Sequence, residues 1–114
     1  MVTVEEIRAL AMSLPRTEER VVRDRLTYRV GRLVYLTISA DETTIGFGFP
    51  KEERTALVEA EPEKFHMPRK SDERYNWVCA WPAALDSEEL TEIVIDAWRM
   101  VVPKRVAAAH LDPP

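Results

Sequence analysis

Between Asp86 and Arg105 the apolar residues Leu90, Ile93, Val94, Ala97, Trp98 and Val101 recur at helical spacing and form one stripe. Asp86 stands where an N-cap belongs, and Glu89 is placed to complete a capping box. Pro103 removes a backbone donor and disfavours helix at Val102, so this long helix should end or bend there, followed by a short basic tail. At the other end of the chain, Thr3 and Glu6 cap a shorter helix. Its buried stripe is Ile7, Leu10, Ala11 and Leu14, and Pro15 closes it.

From Arg20 to Phe49 the period changes to two. Val21 and Val22 suggest a short strand or an extended edge, and Thr27 to Val30 reads as a strand. Gly31-Arg32 then makes a tight connection into Leu33 to Ser39. Strict alternation there sends Leu33, Tyr35 and Thr37 one way and Val34, Leu36 and Ile38 the other. After the polar loop Ala40 to Thr43, Ile45, Phe47 and Phe49 form a core face. The opposite face carries Thr44, Gly46 and Gly48, which either lets another element approach closely or marks a bulge. Pro50 opens a helix that stops near Glu61-Pro62. Phe65 to Met67 is a brief extended piece, and Arg69 to Arg74 is a charged loop. Tyr75 to Trp81 is a strand with Tyr75, Trp77, Cys79 and Trp81 on one face. The order helix, strands, helix, strand, helix predicts an α+β fold of two layers, helices packed on an antiparallel sheet.

Composition narrows the function classes. At 114 residues, with 46% apolar and 32% charged residues, the chain reads as one globular domain spanning 1–114. No apolar run approaches the roughly 20 residues of a membrane span, and the acidic start MVTVEEIRAL is unlike a signal peptide. Cys79 is the single cysteine, so no internal disulfide can form and a reducing cytoplasm is the expected compartment. The net charge of −4 opposes broad, nonspecific affinity for nucleic acid. That charge is unevenly spread. Between Arg16 and Arg32 six arginines face three carboxylates, a local +3, and a weaker basic group runs from Lys64 to Arg74.

No catalytic constellation emerges, so the chain is expected to be a non-enzyme without cofactor or metal. His66 and His110 have no partner at metal-ligand spacing, and Cys79 lies mid-strand, where a buried structural thiol is expected. Glu52-Glu53 and Glu88-Glu89 sit at helix starts, where capping and the dipole account for them. Trp98 belongs to the core, and Trp77 or Trp81 is expected to join it. The functional alternative is a stacking platform or ligand site lined by Tyr75, Trp77 and Trp81.

Several segments resemble the MmcQ/YjbR family of small bacterial proteins. They are SLP (Ser13 to Pro15), YRVGRL (Tyr28 to Leu33), FPKEER (Phe49 to Arg54), YNWVCAW (Tyr75 to Trp81) and the closing DAWRMVVPKR (Asp96 to Arg105). They cover nearly the whole chain in the family's order, and the closing motif is the most specific. The resemblance implies an α+β domain with an antiparallel sheet and DNA binding through a "double wing" of strands. The chain departs from the family at RVVRDR (Arg20 to Arg25), where small residues and glycine are usual; the change adds positive charge.

The expected function is therefore DNA binding or association, with arginines on phosphates. Arg23, Arg25, Arg29 and Arg32 beside the hairpin, and Lys104 and Arg105 on the tail, are the candidate contacts. Lys104 and Arg105 also have a structural reading, in which they neutralise the last carbonyls of the long helix. Asp41 and Glu42 put negative charge at a wing tip, so the expected partner is duplex DNA held weakly and salt-sensitively. The alternative is a non-enzymatic protein-interaction or small-ligand module using Tyr75, Trp77 and Trp81.

Overall fold

In the computed structural model, which describes residues 2–111, six strands form one antiparallel sheet in the order β1-β2-β3-β4-β6-β5. Met1 and 112–114, the ends of the expected 1–114 domain, lie outside the described residues. The strands are β1 Thr17–Val22, β2 Arg25–Val30, β3 Leu33–Ile38, β4 Ile45–Gly48, β5 Phe65–His66 and β6 Trp77–Ala80. The helices are α1 Val4–Met12, α2 Lys51–Ala60, α3 Ser87–Arg99 and α4 Lys104–Leu111. The α+β architecture expected from the hydrophobic pattern is the architecture found.

Register explains which residues meet. Val21, Leu26, Ile38, Ile45, Ala80 and Phe65 form one cross-strand row, and Glu19, Tyr28, Leu36, Phe47 and Val78 another. Both rows face the helices, and all but Glu19, Val21 and Leu26 are buried. Against them α3 presents Leu90, Val94, Ala97 and Trp98. The Trp98 indole is fully buried and donates from Nε1 to the Pro15 carbonyl at 2.9 Å, tying α3 to the α1–β1 connection. The capping box is present: Asp86 Oδ1 accepts from the Glu89 amide at 2.7 Å, and Glu89 Oε1 from the Asp86 amide at 3.1 Å.

Four local expectations are corrected. β1 is longer than Val21-Val22, because TEERVV is an edge strand whose charged side chains hide its strand character. Alternation in β3 breaks at Tyr35. Tyr28 pairs with Leu36 but Arg29 pairs with Val34, so Tyr35 is the extra residue of a β-bulge. Tyr35 and Leu36 are both fully buried, and the Tyr35 hydroxyl shares a 2.9 Å hydrogen bond with Thr17 Oγ1. β6 is only Trp77–Ala80, and Tyr75 lies in the turn before it. Finally, α3 stops at Arg99, and Pro103 starts a further helix, α4, in place of a tail. Lys104 and Arg105 therefore open α4.

Two polar devices brace the sheet. The Glu19 carboxylate accepts from Arg8 Nε at 2.9 Å and from the Tyr28 hydroxyl at 2.7 Å, joining α1 to β1 and β2. Arg54 on α2 is only 7% exposed. Its guanidinium donates to the carbonyls of Glu73 (2.7 Å), Tyr75 (3.1 Å) and Trp77 (2.9 Å), so α2 fixes the backbone entering β6.

The bonds from Arg8 and Tyr28 hold the Glu19 carboxyl below its usual range. The unfolded chain then binds a proton at a higher pH than the folded one, so this stabilisation is complete above about pH 4.5 and is lost as pH falls through the folded value. In acid denaturation Glu19→Gln should show a shallower loss of stability below pH 4.5 than the native chain. Arg54→Met keeps the apolar stem and removes three charge-assisted bonds, and should cost about 3 kcal/mol in chemical denaturation. Hydrogen exchange should speed up locally across 73–77; unchanged exchange there would refute the bracing role.

Candidate functional site

Among the described residues no α-helix packs on the second face of the sheet, where only the short 3-10 turn Lys70–Asp72 stands at the side. The central register row on that face is Arg20, Thr27, Thr37, Gly46, Cys79 and His66, one residue from each strand. Its four middle members are small, so the row is a shallow trough. Larger side chains stand beside it: Arg25, Arg29 and Val34 toward β2 and β3, and Trp77 toward β6. The segment from Pro68 to Asn76 flanks the trough and closes it into a groove. Its most enclosed part, about 310 Å³, is lined by Arg25, Gly46, Arg69, Trp77 and Cys79 and by the carboxylates Asp41 and Asp72 among others. It runs on past Thr27, Arg23 and Arg29 in one direction and past Tyr75 and Asn76 in another.

Local chain chemistry places each wall. The turn between β1 and β2 consists of Arg23 and Asp24 alone, with φ of 52° and 66°. Positive φ at both central positions is the type I′ pattern, for which Asn-Gly is preferred. An arginine here carries conformational strain, and it puts a cation at the tip of the hairpin. Arg25 and Arg29 follow on the open face of β2. Neither they nor Arg23 form an ion pair among the described residues, whereas Arg20 is tied to Glu18 (3.2 Å) and Arg69 to Asp72 (2.9 Å). The Arg29 Nε is buried without a hydrogen-bond partner, as is the Arg54 Nε, so Arg29 can meet a ligand only through its terminal nitrogens. At the far wall the Trp77 indole lies across Gly46. A Cβ at Gly46 would come within 2.6 Å of the indole Nε1. Gly46 therefore admits an aromatic ring to the sheet surface, while Gly48 lies against Ala97 of α3.

Electrostatics inside the groove are mixed. Asp41 accepts from Ser39 Oγ at 2.8 Å and from Thr43 N and Oγ1 at 3.1 and 2.7 Å, which lowers its carboxyl below the usual range. It stays ionised, and its charge is met within the loop. Burial raises the Cys79 thiol, the Asp72 carboxylate adds to that, and Arg25 opposes it. The thiol thus stays protonated at neutral pH and is a poor nucleophile. Burial lowers His66, whose ring stacks on Trp81 at 4.2 Å. Among the described residues no group of three or more His, Cys, Asp or Glu could hold a metal ion. No helix among them is long and apolar enough to cross a membrane.

The residues singled out from the sequence separate cleanly. Arg23, Arg25 and Arg29 come together with Tyr75 and Trp77 along one groove, so the two alternative sites are one place. Arg32 falls outside. It occupies the β2–β3 turn, a strand length (roughly 20 Å) from the Arg23 turn in an antiparallel hairpin. Lys104 and Arg105 lie on α4 with the helices, and the α4 residue His110 packs edge-on against Trp98 at 5.5 Å. Trp81 shares the open side but stands at the β5 edge with His66, beyond the groove. Trp77 is half-buried on the open face and is no part of the core; its ring rests on a glycine instead of an apolar neighbour. Cys79 is likewise half-buried in the groove. Arg69 was visible in sequence only as part of a charged loop. The trough itself had no sequence signal, because Thr27, Thr37, Gly46 and Cys79 share a row only once register is known.

Comparison with known proteins agrees with the fold. Curated proteins yield no match to the chain. Among solved structures, the crystal structure of the Deinococcus radiodurans protein DR2400, described by a DUF419 domain, superimposes with a TM-score of 0.77. It is 21% identical, and the alignment covers 100% of this chain and 91% of that one, a likeness of fold. The YjbR family profile matches residues 12–100, from the end of α1 through α3, and by that match the chain belongs to the YjbR family.

Proposed function

We propose that this protein binds DNA through the open face of its sheet, with Arg23, Arg25 and Arg29 on the phosphates. The observation that carries the reading is three arginines along one groove that form no ion pair among the described residues. A planar guanidinium matches a phosphate with two parallel bonds. The strained turn at Arg23 adds support. A non-glycine residue held at positive φ costs stability, and such strain tends to persist at functional positions. The overall charge of −4 and the ionised Asp41 near the groove keep the interaction weak and confine it to this patch. The protein acts here as a binding module, and the groove offers no activated nucleophile.

A labelled duplex carrying a single-stranded tail should bind at low salt, with affinity falling steeply as salt rises. Arg25→Ala with Arg29→Ala should flatten the log–log salt slope by roughly 1.4–1.8, at 0.7–0.9 per phosphate contact. Lys104→Ala with Arg105→Ala should leave it unchanged. No detectable binding at low salt would end the proposal. The turn gives an independent check. Arg23→Asn with Asp24→Gly should raise stability by about 1 kcal/mol, because the backbone then suits the turn. The same variant should lose roughly 0.7–0.9 of salt slope; a stabilised variant with native slope would remove Arg23 from the contact set.

A further inference from the structure

We infer that the groove takes DNA as a single strand, one base stacked on Trp77 and phosphates of the same strand on Arg25 and Arg29; this rests on the DNA reading above. In a duplex the aromatic faces of the bases are covered by their neighbours, so an indole lying within a groove has nothing to stack against. In a single strand those faces are free, and proteins take them on aromatic side chains. Trp77 is placed for that role. Its ring is laid against the sheet by Gly46, it borders the same groove as Arg25, and it is only half-buried.

Arg25 and Arg29 stand four residues apart on β2, roughly 13 Å, which is more than one nucleotide step along a strand, and β2 is three strands from β6, roughly 14 Å. A strand running along β2 would present phosphates to the arginines and direct its bases over Thr27, Thr37 and Gly46 toward Trp77. That floor is made of small side chains, as a flat base requires. The wall formed by Pro68, Arg69 and Asp72 narrows the most enclosed part to about 310 Å³, the scale of a small-molecule pocket. Tyr75 lies exposed beyond Trp77 and offers a second ring to the next base.

The test compares a short oligothymidine with a blunt duplex of equal length by fluorescence anisotropy on the full chain. The single strand should bind at least about tenfold more tightly. Trp77→Ala should weaken it about 5- to 100-fold, the equivalent of ~1–3 kcal/mol per stacked base, and Trp77→Phe should retain part of that loss. Gly46→Ala, which displaces the ring, should reproduce the effect. Circular dichroism checks that each variant folds, and Trp77→Phe remains informative if the alanine variant does not. Cys79 supplies a second readout: in the native chain the oligomer should slow maleimide alkylation of this groove thiol, measured near pH 9. Equal affinity for blunt duplex and single strand would overturn the inference. So would native single-strand affinity in a folded Trp77→Ala variant. If Arg25→Ala with Arg29→Ala still weakens binding in those cases, the DNA reading stands and only the single-strand assignment falls. Binding of neither form removes both.

Discussion

A sheet with helices on only one side sorts its residues by parity, and most of this protein follows from that sorting. Side chains that alternate toward α1, α3 and α4 must be apolar, because burial on that face supplies the stability. Those rows hold Ile38, Ile45, Leu36, Phe47 and Val78, and Trp98 covers them. Their sequence neighbours point the other way, where no core constrains them. Two threonines, a glycine and a cysteine there make a floor low enough for a ligand. The proposed site occupies the face that packing leaves free, so on that reading the same strands serve both without competition for positions.

Two irregularities turn that free face into a site. The bulge at Tyr35 sends two consecutive side chains to the core and puts both Val34 and Thr37 on the groove side, where strict alternation would have divided them. The second is Arg54, a buried cation on the helix side whose partners are backbone carbonyls. Its three bonds set the path of the chain into β6 and with it the position of Trp77. Carbonyl dipoles solvate the guanidinium without a counter-ion, so the brace adds no second charge to be desolvated. The groove is thus shaped from behind by a residue that never touches it.

Elements governed by local pattern were legible in the sequence. The stripe and capping box of α3, the alternation from Ile45 to Phe47, and the two-residue turn at Gly31, whose φ is 60°, appear as read, while Gly48 at the end of β4 lies against α3 and not on the opposite face. The site was legible only in part. Arg23, Arg25 and Arg29 were found as a cluster of charge, and Tyr75 and Trp77 as aromatics, but nothing local joined them. Their meeting depends on β4 pairing with β6 across the intervening chain 49–76. For the same reason Arg32 was grouped with its sequence neighbours, although a hairpin sends it to the opposite end. Trp77 was misjudged because size argues for burial, while the glycine that makes room for it lies on another strand. Lys104 and Arg105 were misplaced because Pro103, a helix breaker in one reading, is a helix starter in the other.

The distribution of charge fits a selective binder better than a sticky one. A protein with net charge −4 is repelled by a polyanion at long range, and that repulsion is screened beyond a Debye length of about 8 Å at physiological salt. Inside that distance only local geometry matters, and there Arg25 and Arg29 have no competing carboxylate in an ion pair, while Arg69 is held by Asp72. Encounter is slow and indiscriminate attachment is suppressed, but a strand that reaches the groove meets unpartnered donors and an aromatic face together. Neither feature alone would separate DNA from other anions or from other flat molecules. On the proposed reading, their placement on opposite walls of one trough selects a ligand that carries both phosphate and base, and the register of the sheet sets the distance between the two.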